Sequence, residues 1–161
     1  MKVLLLVPLC LVIDQASKYL VVQSMYEGES IPVLGDFFRL TFIYNSGAAF
    51  GLNLGSPLIH LVASLAALGL LLWMFRTAPS EARLLRFSLS LILGGALGNI
   101  VDRVYLSKVV DFFDFGFDTL RWPVFNMADS FVTVGIFLLA VAYAREKEPD
   151  ESSGVAEPAD A

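Results

Sequence analysis

Four apolar runs leave this chain few ways to fold. Val3 to about Val22, Leu58 to Phe75, Phe87 to about Val104 and Val124 to Ala144 each approach the roughly 20 residues that cross about 30 Å of hydrocarbon as a helix. A soluble core has no room for four such runs: 57% of the 161 residues are hydrophobic and the mean hydropathy is +0.69. The reading is an all-α integral membrane protein, a four-transmembrane-helix bundle. The first run begins like a signal peptide, but Leu9 is large where a cleavage site needs a small residue, and the run continues past Asp14 and Lys18 to Val22, so it is read as a retained span. Cys10 is the one cysteine, which excludes an intrachain disulfide and a Cys-based metal site.

The second and fourth runs are close to uninterrupted. The first and third carry polar residues near one end only: Asp14, Gln15 and Lys18 in one, Asn99, Asp102 and Arg103 in the other. Consecutive spans run in opposite directions, so the C-terminal halves of spans one and three lie on the same side as the start of span four. The polar residues therefore gather at one face. Bases in short loops stay in the cytoplasm. Lys2, Arg76, Arg83, Arg86, Arg145 and Lys147 all fall on the opposite side from that face, which predicts cytoplasmic termini and an outward-facing polar cluster. The net charge of −5 comes from the tail: residues 146 to 161 hold six acids and one base, leaving ten of each in 1 to 145.

Between spans one and two the pattern shortens. Ile31 to Leu34, a turn at Gly35-Asp36, and the β-branched and aromatic residues from Phe38 to Tyr44 predict a strand pair, a small extracytoplasmic β-sheet/loop platform over about residues 27 to 55. Gly47 and Gly51 bracket Ala48-Ala49-Phe50, read as a hairpin tip that either anchors in the membrane surface or touches substrate. The domain reading is one four-span membrane unit over 1–145 and an acidic, disordered cytoplasmic tail over 146–161.

Ionisable groups inside a membrane are costly, which makes them functional candidates. Asp111 follows the outer end of span three and Asp129 sits about one turn into span four. Two carboxylates at one desolvated site share a proton and titrate as a pair, an arrangement suited to activating water against a peptide carbonyl. The alternative is that Asp111 is a solvated interfacial acid and Asp129 a charge favoured by its helix dipole. Asn99, Asp102 and Arg103 fall on one face of span three, where they either shape a cleft or fix helix packing. Asp14 and Lys18, at i and i+4, carry the same two readings and lean to a structural pair. Gly94 and Gly98, in small-xxx-small spacing, allow another helix to approach closely. His60 is the only histidine, so zinc-protease and Ser-His-Asp schemes lack their parts, and it is read as an interfacial residue. Asp114 is read as a loop acid with no role.

Taken together, five stretches resemble the bacterial lipoprotein signal peptidase family, also called signal peptidase II. They are Asp14-Gln15-Ala16-Ser17-Lys18, Asn45 to Gly51, Gly95 to Arg103, Val110-Asp111-Phe112 and Phe125 to Ser130, in the family's order and covering the chain up to its acidic tail. The resemblance implies an intramembrane aspartyl endopeptidase of the bacterial inner membrane that acts on diacylglyceryl-modified prolipoproteins, cutting on the N-terminal side of the lipidated cysteine. It implies Asp111 and Asp129 as the catalytic pair and Asp14, Asn45, Gly47, Asn99, Asp102, Arg103 and Asn126 as polar residues around the cleft. Lys18 lies in the first matching stretch and is grouped with them, and Asp102 is assigned the support of Arg103. The partners implied are the lipid-modified substrate and membrane lipid, with no nucleic acid, metal or organic cofactor. A small transporter or channel is the alternative. It would need polar residues through the whole depth, whereas here they occupy the outer half.

Overall fold

Helix α3 (Arg83–Leu106) is the member the other helices pack against in this computed structural model, which describes residues 2–47 and 56–146. Two-thirds of its apolar window (67%) is buried, against 11 to 22% for the other three membrane-length helices. Those are α1 (Leu6–Ser24, led by a 3-10 turn at Lys2–Leu5), α2 (Pro57–Thr77) and α4 (Met127–Glu146). All four are long and apolar enough to span a membrane. Their outward residues, among them Leu20, Leu58, Leu70, Trp73 and Phe137, are exposed and apolar, as lipid contact requires.

Glycines make α3 the centre. A Cβ at Gly94 would strike Cys10, one at Gly98 would strike the Asp14 carboxylate, and one at Gly95 would strike the backbone of Ala128. So α1 lies on the Gly94/Gly98 edge and α4 on Gly95, the close packing that small-residue spacing permits. Towards the other end of the bundle, Leu89 and Leu93 of α3 join Phe75, Ala78 and Leu85 in an apolar cluster.

The small sheet expected beside the four helices is present and larger than the sequence suggested, so all-α is a loose label for the fold. Strands β1 (Ser30–Leu34) and β2 (Phe38–Asn45) form the expected hairpin, with Gly35 at φ 56° in its turn. Two more strands follow α3: β3 (Val109–Phe117) and β4 (Leu120–Arg121), in the antiparallel order β1-β2-β3-β4. No strand was expected after span three, and Asp114 was expected as a loop acid, because the period-two pattern of Val109 to Phe117 is hidden. Val109, Val110, Asp111, Phe112 and Asp114 are all buried, so both faces are covered and apolar residues do not alternate with polar ones. Ser107, at φ 58°, ends α3 and turns the chain into β3.

The fourth span was expected from Val124, but α4 begins three residues later. The preceding residues bond to β3 instead: the Phe125 N–H donates to the Phe113 carbonyl at 3.1 Å, and the Phe113 N–H returns to Phe125 at 2.7 Å. The expected tip at Ala48–Phe50, with Gly51, and the tail beyond Glu146 lie outside the described residues.

Candidate active site

Asp111 and Asp129 reach one place by different routes. Asp111 is the third residue of β3 and Asp129 the third of α4; the stretch running along β3 into α4 ends on Asn126, which joins them. Asn126 is fully buried, and its Nδ2 donates to Asp111 Oδ1 at 2.6 Å. Its Oδ1 accepts the Asp129 N–H at 3.0 Å, while Asp129 Oδ2 accepts the Asn126 N–H at 3.2 Å. That reciprocal pair is a capping box, and it satisfies donors at the start of α4 while fixing the Asp129 side chain.

The remaining oxygens are held from two other elements. Asn45 lies two residues beyond Ile43, the register partner of Asp111, so it shares a face with Asp111 and donates to Asp111 Oδ2 at 2.9 Å. Asn45 is steadied in turn by the Gly47 N–H, at 2.9 Å from its Oδ1. Asn99 donates to Asp129 Oδ1 at 2.8 Å. Asp111 is only 2% exposed. Burial pushes its carboxyl up from the usual range, the Asp129 charge adds to this, and the donors Asn45 and Asn126 pull the other way; the balance is about 7.

Asp14, Lys18 and Asp102, expected around the cleft, are buried beneath it. Their exposures are 0, 3 and 4%. The Lys18 ammonium has three acceptors for its three N–H groups: Asp14 at 2.8 Å, Asp102 at 2.9 Å and Asn99 Oδ1 at 3.0 Å. Gln15 donates to both carboxylates, at 3.1 and 2.9 Å. Each carboxylate then grips the backbone beside a candidate catalytic residue. Asp14 Oδ1 accepts the Ala128 N–H at 2.9 Å, one residue before Asp129, and Asp102 Oδ2 accepts the Val110 N–H at 3.1 Å, one residue before Asp111. Asp102 was expected to support Arg103 but pairs with Lys18; Arg103 donates to the Asn99 carbonyl at 3.2 Å and has no ion pair within 4 Å among the described residues.

Asp129 borders two grooves. One, about 380 Å3, has Asn45, Asn99 and Arg103 along its polar side. The other, about 590 Å3, is apolar and runs between residues 122–125 and α4 as far as Ile136. Among the described residues, Asp129 is the one charged group that lines both grooves.

A family model described as Signal peptidase (SPase) II matches residues 6–145. The chain belongs to the signal peptidase II family. Among curated relatives, the lipoprotein signal peptidase of Moorella thermoacetica is 44% identical over 86% of this chain and 90% of its own. That of Desulforapulum autotrophicum is 43% identical over 90% and 96%. Two solved structures of bacterial membrane enzymes superpose with TM-scores of 0.85 and 0.79, at 29 and 32% identity, covering 96 and 91% of this chain and 94% of each of theirs.

Some polar residues of this signal peptidase II chain escaped the sequence reading. Asp114 is a buried strand residue, not a loop acid: Arg121 Nε donates to its Oδ1 at 2.6 Å and Thr41 to its Oδ2 at 2.6 Å. Asp36 joins the same cluster through Arg39, Arg121 and the Asp118 N–H, and these, with the backbone donor foremost, hold its carboxyl below the usual range. The available signal was Asp36 and Arg39 at i, i+3 across a turn. Nothing in the local pattern pointed to Arg121.

Proposed function

We propose that this protein is an intramembrane aspartyl endopeptidase that cleaves the signal peptide from diacylglyceryl-modified prolipoproteins, on the N-terminal side of the lipidated cysteine. The observation that carries the reading is the joint hold of Asp111 and Asp129 on Asn126, with Asp129 bordering two grooves and the Asp111 carboxyl raised to about 7. A carboxyl titrating near neutrality serves as an acid at working pH.

In the proposed reaction Asp129 takes a proton from water, whose oxygen attacks the scissile carbonyl carbon. Asp111 gives its proton to the carbonyl oxygen, forming a neutral tetrahedral intermediate. On collapse the hydroxyl proton returns to Asp111, the C–N bond breaks, and the proton held by Asp129 passes to the nitrogen, freeing the lipidated cysteine's amine. Asn99 and Asn126 orient the carboxylates, and Asn45 restrains Asp111. Arg103 faces the substrate backbone from the polar groove, and the apolar groove along α4 takes the lipid-modified part of the substrate.

The same reading places the enzyme in the bacterial inner membrane with both termini cytoplasmic. Residues 1–145 form the peptidase unit and 146–161 a cytoplasmic tail. The sheet lies at the outer interface as a platform, a placement supported by the exposed Phe37, Phe117 and Leu120 at its turns. The test is cleavage of a lipidated precursor by purified Asp111→Asn and Asp129→Asn variants. Both lose turnover while keeping the wild-type elution profile and unfolding transition; near-normal turnover in either removes the pair as the catalytic centre.

A further inference from the structure

His60 occupies a position that helix packing does not explain. It is the fourth residue of α2, on the least buried of the four helices, yet the residue is only 6% exposed. Both ring nitrogens are buried, and neither has a hydrogen-bond partner among the described residues. Ser64, one turn on, does not help, since its hydroxyl donates to the His60 backbone carbonyl at 2.7 Å. A buried polar group without a partner weakens the fold, and its retention calls for an occupant that satisfies it.

His60 lines the smaller groove together with Asn45, Asn99, Arg103 and Asp129. The two amides are already committed: Asn45 to Asp111 and Asn99 to Asp129. The groove is also lined by Ala63, Ala67 and Ala96, whose small side chains leave room for a main chain. An imidazole offers one N–H donor and one acceptor nitrogen, the complement of the C=O and N–H along an extended peptide.

We propose that His60 is a substrate-positioning residue that hydrogen-bonds a backbone amide of the peptide lying in this groove beside Asp129. The inference rests on the peptidase reading and extends it to a residue on α2. In it, the free enzyme carries the unsatisfied ring and the bound substrate relieves it.

The full chain in detergent, with a synthetic peptide bearing diacylglyceryl cysteine, gives the test. His60→Leu raises KM about tenfold, the scale of one lost hydrogen bond, with a smaller change in kcat and an unfolding temperature equal to or above wild type. His60→Gln, which restores a donor and an acceptor, recovers part of the KM. Replacing single backbone amides of the peptide by esters identifies the bonded position: the replacement that most weakens wild type costs His60→Leu little, because the two changes remove the same contact. A wild-type KM in His60→Leu overturns the proposal, as does a KM that rises in both variants together with a falling unfolding temperature. The affinity of the uncleaved peptide for Asp129→Asn, with and without His60→Leu, is measured in parallel. Equal affinities overturn the role of His60 whether or not the wild type cuts, whereas absence of cleavage with an affinity lost in His60→Leu overturns only the peptidase reading.

Discussion

Asp111 is a residue whose proposed role and contribution to stability depend on the same proton. Its carboxyl titrates at about 7 in the folded protein, against about 4 for an unfolded chain. The folded state thus binds this proton more tightly, and the stability so gained is complete below about pH 4 and lost as the pH rises through about 7. We expect the unfolding temperature of the wild type to fall between about pH 5 and 8 and that of Asp111→Asn to fall less, measured by thermal melts in one detergent. Because the proposed acid must be protonated, kcat/KM should decline above about pH 7, and a rate that keeps climbing to pH 9 would remove Asp111 from that role. Asn126 is the residue both carboxylates share. Asn126→Ala takes the donor from Asp111 Oδ1 and the acceptor from the Asp129 N–H, at a cost of about 1–3 kcal/mol for each buried group left unpaired. The expected result is a lower unfolding temperature together with a kcat that falls more than KM rises.

Among the elements, α1 bears on both proposed catalytic residues through the backbone next to each. Lys18 pairs with both Asp14 and Asp102, and through them α1 sets the start of α4 at Ala128 and the start of β3 at Val110. Removing one member of a buried ionic group is costly, about 3–5 kcal/mol, because the partners stay charged and desolvated. Lys18→Met should therefore lower the unfolding temperature sharply, and adding Asp14→Asn or Asp102→Asn should recover part of the loss. Additive losses in the double variants would show that the three groups do not act as a unit. The sequence already showed α1 and α3 as spans with polar residues at one end, since i, i+4 spacing and hydropathy are local properties. It did not show the Lys18–Asp102 pairing, which joins residues on two helices, nor β3, whose aromatic and acidic residues are buried on both faces. Asp102 was assigned to Arg103 because both were placed on one face of span three, but on a helix adjacent residues point about 100° apart. Asp111 and Asp129 were legible because few carboxylates lie beside apolar runs; Asn126, whose burial depends on the extended stretch before α4, was legible only through the family resemblance.

Across the whole molecule, β3 hangs between two polar centres. Near its start Asp102 holds the Val110 N–H, and farther along Asp114 is held by Arg121 and Thr41, with Asp36 tying the β1–β2 turn to the β3–β4 turn. Asp111 lies between these two anchors, so its position depends on both the helices and the sheet. The buried serines of α3 add no polar path towards the end of the bundle away from Asp111 and Asp129, since Ser88 and Ser90 donate to carbonyls of their own helix, at 2.5 and 2.8 Å, and this weakens the channel reading. The two anchors should be separable by experiment. Arg121→Met leaves Asp114 buried without its cation, which raises hydrogen exchange over residues 109–121 and leaves the Lys18 cluster protected. Activity then falls through looser placement of Asp111, with a kcat loss smaller than that of Asp111→Asn and partly restored by Asp114→Asn in the same chain. If exchange rises equally at the α1–α3 contact, the sheet and the helices unfold as one unit and the two-anchor account fails.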